Sequence, residues 1–196
     1  MLGFFRADED AFVKELMSSN INIDKLKKYI ANGVNINDVD EKGRNYLFFF
    51  AAKKNFNAIK VLISLGIDMY KEDKLGKTVL SEACEKYDFM MIKFLLDNGF
   101  DGNRKNSAGR TILQDCVLLG NDKVFQILLN YNLDFDIKDS DGRNVVFDAI
   151  ENGNLETLKK VIDNVKDINA VDKNGRTALF EAVLKDDLRL ALALIN

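Results

Sequence analysis

Few residues in this sequence could do chemistry. Cys84 and Cys116 are its two thiols. A catalytic thiol needs a base or a nearby positive charge that holds it as thiolate. The chain has no His. That removes imidazole bases, Ser/His and Cys/His nucleophile pairs, and His-containing metal sites. Asp186 and Asp187 form an adjacent carboxylate pair. Asp134, Asp136, Asp139 and Asp141 superficially resemble a calcium loop, but the run lacks the central Gly and the closing Glu of such a loop. There is no Gly-rich phosphate loop and no nucleic-acid motif. The expectation is a non-catalytic protein with no cofactor, no metal and no nucleic acid partner.

The bulk properties agree. The 196 residues fit one domain or one short array of repeats. Apolar residues make up 47% and charged residues 30%, and the formal charge is only -3, with no Pro anywhere. Such a balance points to neither nucleic acid nor membrane. The apolar run at the N-terminus, MLGFF, is broken at once by charge, too short for a secretory signal. No window approaches the roughly 18 apolar residues of a membrane span. Two cysteines make no disulfide framework, so a reducing cytoplasm is the simplest location.

The elements that must position these residues follow from a repeat of 33 residues. Gly43, Gly76, Gly109, Gly142 and Gly175 recur at that spacing. Three residues before each stand Asp40, Asp73, Asn106, Asp139 and Asp172, which suits a type I turn with the short polar residue first and Gly fourth. One residue after each Gly stand Arg44, Lys77, Arg110, Arg143 and Arg176, and four after it Leu47, Leu80, Leu113, Val146 and Leu179. Twelve after it come Asn55, Asp88, Asn121, Asn154 and Asp187, short acceptors that cap a helix start. Apolar residues then follow at helical spacing, such as Ile59, Leu62 and Ile63, or Ile92, Leu95 and Leu96. Gly66 and Gly99 sit where a helix needs a left-handed stop, with Asn132 in their place one repeat later. Val165 stands there in the fourth unit, whose helix must end differently.

Each unit thus reads as a turn followed by two short helices, and units of this size must stack to bury their apolar faces. Phe12, Leu16, Leu26 and Ile30, with Asn22 in the cap column and Gly33 in the stop column, predict an N-terminal capping repeat over residues 8–37. Full repeats are expected over 38–70, 71–103, 104–136 and 137–169, with a last, C-terminally incomplete one over 170–196. Cys116 shares its column with Ala83, Ala149 and Ala182, so both thiols are read as small core residues.

With these residues in place the chain resembles the ankyrin-repeat family, whose period is 33 residues. The resemblance covers about residues 8–196. The family signature is present in altered form as Asn45-Tyr46-Leu47-Phe48, Thr78-Val79-Leu80-Ser81, Thr111-Ile112-Leu113-Gln114, Asn144-Val145-Val146-Phe147 and Thr177-Ala178-Leu179-Phe180. Its Pro and His are missing each time. The bonds that the family His makes to neighbouring turns are therefore not expected in their usual form. The resemblance implies an all-α solenoid of helix-turn-helix units with hairpin fingers. It also implies a binding module that meets a partner protein through hairpin tips and the inner face of the first helices.

Six columns fall on that concave surface: four, two and one residues before each Gly, and one, nine and ten after it. They hold thirteen cations against five acids, an excess of eight, which the four turn aspartates lower to about four. A locally basic surface favours a partner with an acidic face. The candidate contacts are Arg44, Lys53, Lys77, Lys86, Arg110, Arg143 and Arg176, with Leu75, Leu118 and Leu119 as apolar anchors. Two plainer readings stand beside this. Arg or Lys after the turn Gly is common in the family, and Phe48, Phe147 and Phe180 can pack between repeats rather than meet a partner. At the other end, Leu190, Leu194 and Ile195 fit core columns, but Leu192 sits where polar residues are usual. Terminal repeats normally carry a polar outer face. Self-association through the C-terminal repeat, cover by a partner, or a longer native chain would each account for it. Richness in Lys, Asn, Ile and Phe suits an AT-rich bacterial genome. Small bacterial members of the family include inhibitors of the immunity-protein kind, so an inhibitor of one enzyme or toxin, or an accessory subunit of a larger enzyme, is the alternative reading.

Overall fold

The computed structural model describes residues 7–195. Its contacts divide the chain into two compact units, Met1–Ala83 and Cys84–Asn196. Twelve short helices run through the described residues.

In the first unit α1 (Ala7–Leu16) pairs with α2 (Ile23–Ala31), and α3 (Tyr46–Ala52) with α4 (Phe56–Ser64). Phe12, Leu16, Leu26, Phe50, Ile59 and Leu62 are wholly buried between them. The division between the units falls inside α5 (Val79–Glu85). In the second unit come α6 (Phe89–Asp97), α7 (Ile112–Leu118), α8 (Asp122–Leu128), α9 (Val145–Asn152), α10 (Leu155–Ile162), α11 (Ala178–Leu184) and α12 (Leu188–Ile195). The first helices α7, α9 and α11 pack in one row, while the second helices pair as α6 with α8 and α10 with α12. Leu113, Val117, Val124, Phe125, Val146, Ile150, Leu158 and Val161 fill the space between the rows. None of these helices exceeds ten residues, so packing of the apolar stripe, not propensity, holds them.

Each turn is built as the spacing requires. The Gly43 amide donates to the Asp40 carbonyl at 2.8 Å, and the same closure recurs at Gly76, Gly109, Gly142 and Gly175. The hairpin glycines are left-handed, with φ of 79° at Gly43 and 80° at Gly142. There a second constraint acts. A Cβ on Gly43 would stand 3.2 Å from the Lys74 amide nitrogen, and one on Gly142 3.4 Å from that of Lys173. Those amides donate to the carbonyls of Lys42 and Asp141, so neighbouring hairpins touch backbone to backbone.

The cap column works twice. The side-chain oxygens of Asn55, Asp88, Asn121 and Asn154 accept amides of the first turn, and Asp187 accepts from Arg189 and Leu190. The amide nitrogen of the asparagines then reaches a neighbouring repeat: Asn55 to the Leu16 carbonyl at 3.4 Å, and Asn121 to the Cys84 carbonyl at 3.0 Å. The missing His is also replaced. Gln114, in its column, donates to the Arg143 carbonyl at 3.1 Å. Where Phe fills that column, an Asn begins the helix instead. Asn45 donates to the Asp68 carbonyl and Asn144 to that of Asp167.

Two local expectations change. Asn132 is not a left-handed helix stop. Helix α8 already ends at Leu128, and the Asn130 side chain takes over the open carbonyls of Gln126 and Ile127. The sequence reading also missed a left-handed column between the two helices of each repeat. It is occupied by Gly120 and Gly153, but also by Lys54, Tyr87 and Asp186 at φ of 53–55°, where a side chain costs about 1–2 kcal/mol. The two glycines were the available signal.

Asn121→Ala removes a cap and leaves the Cys84 carbonyl without its donor. A loss of about 2–3 kcal/mol is expected in urea unfolding, against about 1 kcal/mol for Asp88→Ala, which removes a cap alone.

Candidate functional site

The ten candidate contacts fall into two environments. In the first unit Lys53 and Leu75 are exposed, Leu75 at 78%. Lys53 lies over the Phe49 ring at 5.5 Å. In the second unit Lys86 and Leu119 are exposed, Leu119 at 69%, with Leu118 half-buried beside it. Exposed Tyr87 and Met90 belong to the same unit, and Tyr87 meets Phe89 edge-on at 6.5 Å. Of the three phenylalanines, Phe48 and Phe147 are buried while Phe180 is half exposed.

The cations after the hairpin glycines are half-buried and bound to their own protein. Arg44 forks onto Asp40 through Nε and a terminal nitrogen at 2.9 and 2.7 Å, while the other carboxylate oxygen of Asp40 accepts the amides of Lys42 and Arg44. Arg176 repeats this on Asp172 and adds Glu181 at 3.2 Å. Arg143 reaches Glu181 at 3.4 Å and Asp172 at 3.8 Å with its plane over Phe147. Lys77 is half-buried, its amide donating to Asp73. Arg110 is the most enclosed. It bonds Asp115 at 2.6 Å, Asp148 at 2.8 Å and Asp139 at 3.4 Å. Burial works against the Arg110 charge, but Asp148 and Asp115 outweigh it and hold its pKa above the usual guanidinium value.

This arrangement exposes a column that the sequence reading overlooked. Six residues after each Gly stand Phe49, Glu82, Asp115, Asp148 and Glu181. Its four acids cancel the remaining excess of four positive charges, so these rows are locally neutral. The available signal was the five-residue spacing of Arg110 to Asp115 and of Arg176 to Glu181.

The turn acids are correspondingly acidic. The amide and guanidinium of Arg176, with the amide of Asn174, hold Asp172 down to about 2 despite its burial. Its ionised form therefore supports the fold above about pH 4, and that support is lost as the pH falls towards 2. The thiols behave as core groups. Burial pushes Cys116 up to about 12 and Cys84 well above the usual thiol range. The Cys116 thiol donates to the Asn121 carbonyl at 3.3 Å. Among the described residues no three His, Cys, Asp or Glu side chains are placed to hold a metal ion, and no helix is long and apolar enough to cross a membrane. Hollows of about 140 Å³ beside Arg44 and Tyr46 and about 190 Å³ beside Asp122 and Thr157 lie in the first and second unit respectively. Both are smaller than the roughly 300–1,000 Å³ of small-molecule sites. In the second, Asp122 is tied down by Thr157 at 2.7 Å and Asn154 at 3.1 Å.

A family model described as ankyrin repeats, three copies, matches residues 15–106, 49–139 and 113–196. The chain belongs to the ankyrin-repeat family. Its fold is that family's all-α repeat solenoid, and ankyrin repeats are generally protein–protein interaction modules, typically without catalysis. The suggested partner of this ankyrin-repeat chain is accordingly a protein. A search of curated proteins gave no match.

Arg110→Ala would strand the buried Asp148 carboxylate. A loss of about 3 kcal/mol or more is expected in chemical unfolding. Lys105→Ala, on an exposed hairpin position, should change stability by less than about 0.5 kcal/mol.

Proposed function

We propose that this chain is a non-catalytic binding protein that meets a partner through the hairpin tips and the inner ends of the first helices. The observation that carries this reading is the placing of large apolar side chains, Leu75 in the first unit and Leu119 in the second, in solvent at positions that family members use for contact. An apolar anchor ringed by charge is what an interface centre requires. Exposed lysines supply the charge: Lys53 and Lys74 in the first unit, Lys86 and Lys105 in the second. The partner face is therefore apolar at its centre and acidic at its rim. Arg44, Arg110, Arg143 and Arg176 act on this surface mainly by holding its backbone in place, since their guanidinium groups are engaged by Asp40, Asp148, Glu181 and Asp172. A reducing compartment suits the two buried thiols.

The test is quantitative capture from the source cell's lysate with wild type, Leu75→Glu, Leu119→Glu and, as a control on the exposed side of α8, Lys123→Glu. A stoichiometric partner whose yield falls at least about tenfold with either Leu variant, but not with the control, is the expected result. A partner retained equally by all four chains would sink the surface assignment. Assay of the captured partner then separates an inhibitor, including one of the immunity-protein kind, from an accessory subunit.

A second reading has its own observation. Phe180, Val183, Leu184, Leu188, Leu192 and Ile195 are all substantially exposed on the last repeat, an apolar concentration unusual for a free surface. Pairing of two copies through α11 and α12 would cover it. Sedimentation of wild type should then give a dimer that Leu188→Glu with Leu192→Glu converts to monomer; a monomer at every concentration would remove this reading.

A further inference from the structure

The Arg110 cluster carries more charge than a structural ion pair needs. One guanidinium is shared by three carboxylates: Asp115 from α7, Asp139 from the following hairpin and Asp148 from α9. Asp148 is 5% exposed, and its second oxygen, Oδ2, is buried without a hydrogen-bond donor. Its neighbours offer no further cation. Arg143 is turned to Glu181 and Asp172, and Glu181 of α11 is engaged by Arg143 and Arg176. The residues that α10 buries, Thr157, Leu158 and Val161, are uncharged. Asp139 and Asp115 are each committed elsewhere as well. Asp139 accepts the amides of Asp141 and Arg143, and Asp115 accepts the Asn106 side chain at 3.2 Å.

A proton on Asp148 resolves the imbalance at little cost in bonding. Its Oδ1 still accepts from Arg110, the lone oxygen becomes a hydroxyl, and Arg110 keeps Asp115 and Asp139. Loss of that proton puts an excess negative charge between α7 and α9.

We propose that the Arg110 cluster is a proton-uptake site that couples the packing of α7 against α9 to pH near neutrality. Protonation of Asp148 tightens the second unit, and ionisation loosens it. The electrostatics agree in direction. Burial, helped by Asp139 and Asp115 and opposed by Arg110, pushes Asp148 up to about 7 from 3.8. The folded protein then binds a proton that the unfolded chain does not, over the window from about pH 4 to about pH 7. Stability from this group rises as the pH falls through that window, by up to about tenfold in the folding equilibrium per pH unit.

The test is a site-resolved carboxyl-carbon NMR titration of the intact chain, paired with urea unfolding at the two ends of the window. The expected result is an Asp148 midpoint near 7, and a pH dependence of stability that flattens in Asp148→Asn. Asp115→Asn guards against a misfolded variant: it removes one like charge and frees Arg110, so the Asp148 midpoint should drop by a measurable step while the fold persists. An Asp148 midpoint below about 5 in wild type would overturn the proposal. So would an unchanged slope in a folded Asp148→Asn chain.

Discussion

The side-chain oxygen three residues before each hairpin glycine anchors the rest of the structure. It accepts two backbone amides, one from the turn and one from the residue after the glycine, as Asp40 does from Lys42 and Arg44. That pair of bonds fixes where the chain leaves the hairpin, and so where the first helix begins. The same residue then takes a guanidinium on its free oxygen at Asp40 and Asp172. One acid therefore sets both the backbone path and the place of the cation beside it. With the hairpins set, backbone bonds such as Lys74 to Lys42 and Lys173 to Asp141 join successive repeats within each unit. The helix pairs are thereby held close enough to share an apolar core that neither could form alone.

Much of this was legible in the sequence because it is local and periodic. The glycines, the caps and the apolar stripes each depend on residues within one repeat, so a 33-residue period shows them directly. The Asn132 expectation failed for a local reason: Asn130 intercepts the carbonyls one turn earlier. The pairing of Asn at the helix start with Phe three residues later at Asn45–Phe48 and Asn144–Phe147, against Thr with Gln at Thr111–Gln114, was visible as residues but not as a bonding rule. It takes the coordinates to see that the donor to the next repeat has moved from one column to the other.

The surface was harder to read, for a physical reason. A row of arginines looks basic when its columns are counted alone. The acids that neutralise it lie in another column, and in two cases belong to the following repeat: Arg110 with Asp148, and Arg143 with Glu181. Charge complementarity across a repeat boundary spans nearly forty residues and leaves no short motif. The cluster at Arg110 came about this way, from two ordinary columns meeting where the turn residue Asn106 is neutral. Without an acid of its own to fork onto, Arg110 turns inward. The surface that remains for a partner is defined less by arginine than by exposed leucines and lysines.

The doubly used asparagines set how this molecule can vary. Asn121 caps its own helix with one end and grips the Cys84 carbonyl with the other, so its position is registered against two repeats at once. An insertion or deletion of a single residue between hairpin and cap would break bonds on both sides of a boundary. Removing or adding a whole repeat would break none of that register, because each boundary is wired alike. Change in length is therefore quantised: such a chain can grow or shrink in steps of 33 residues, while its tips and helix ends remain free to drift one side chain at a time.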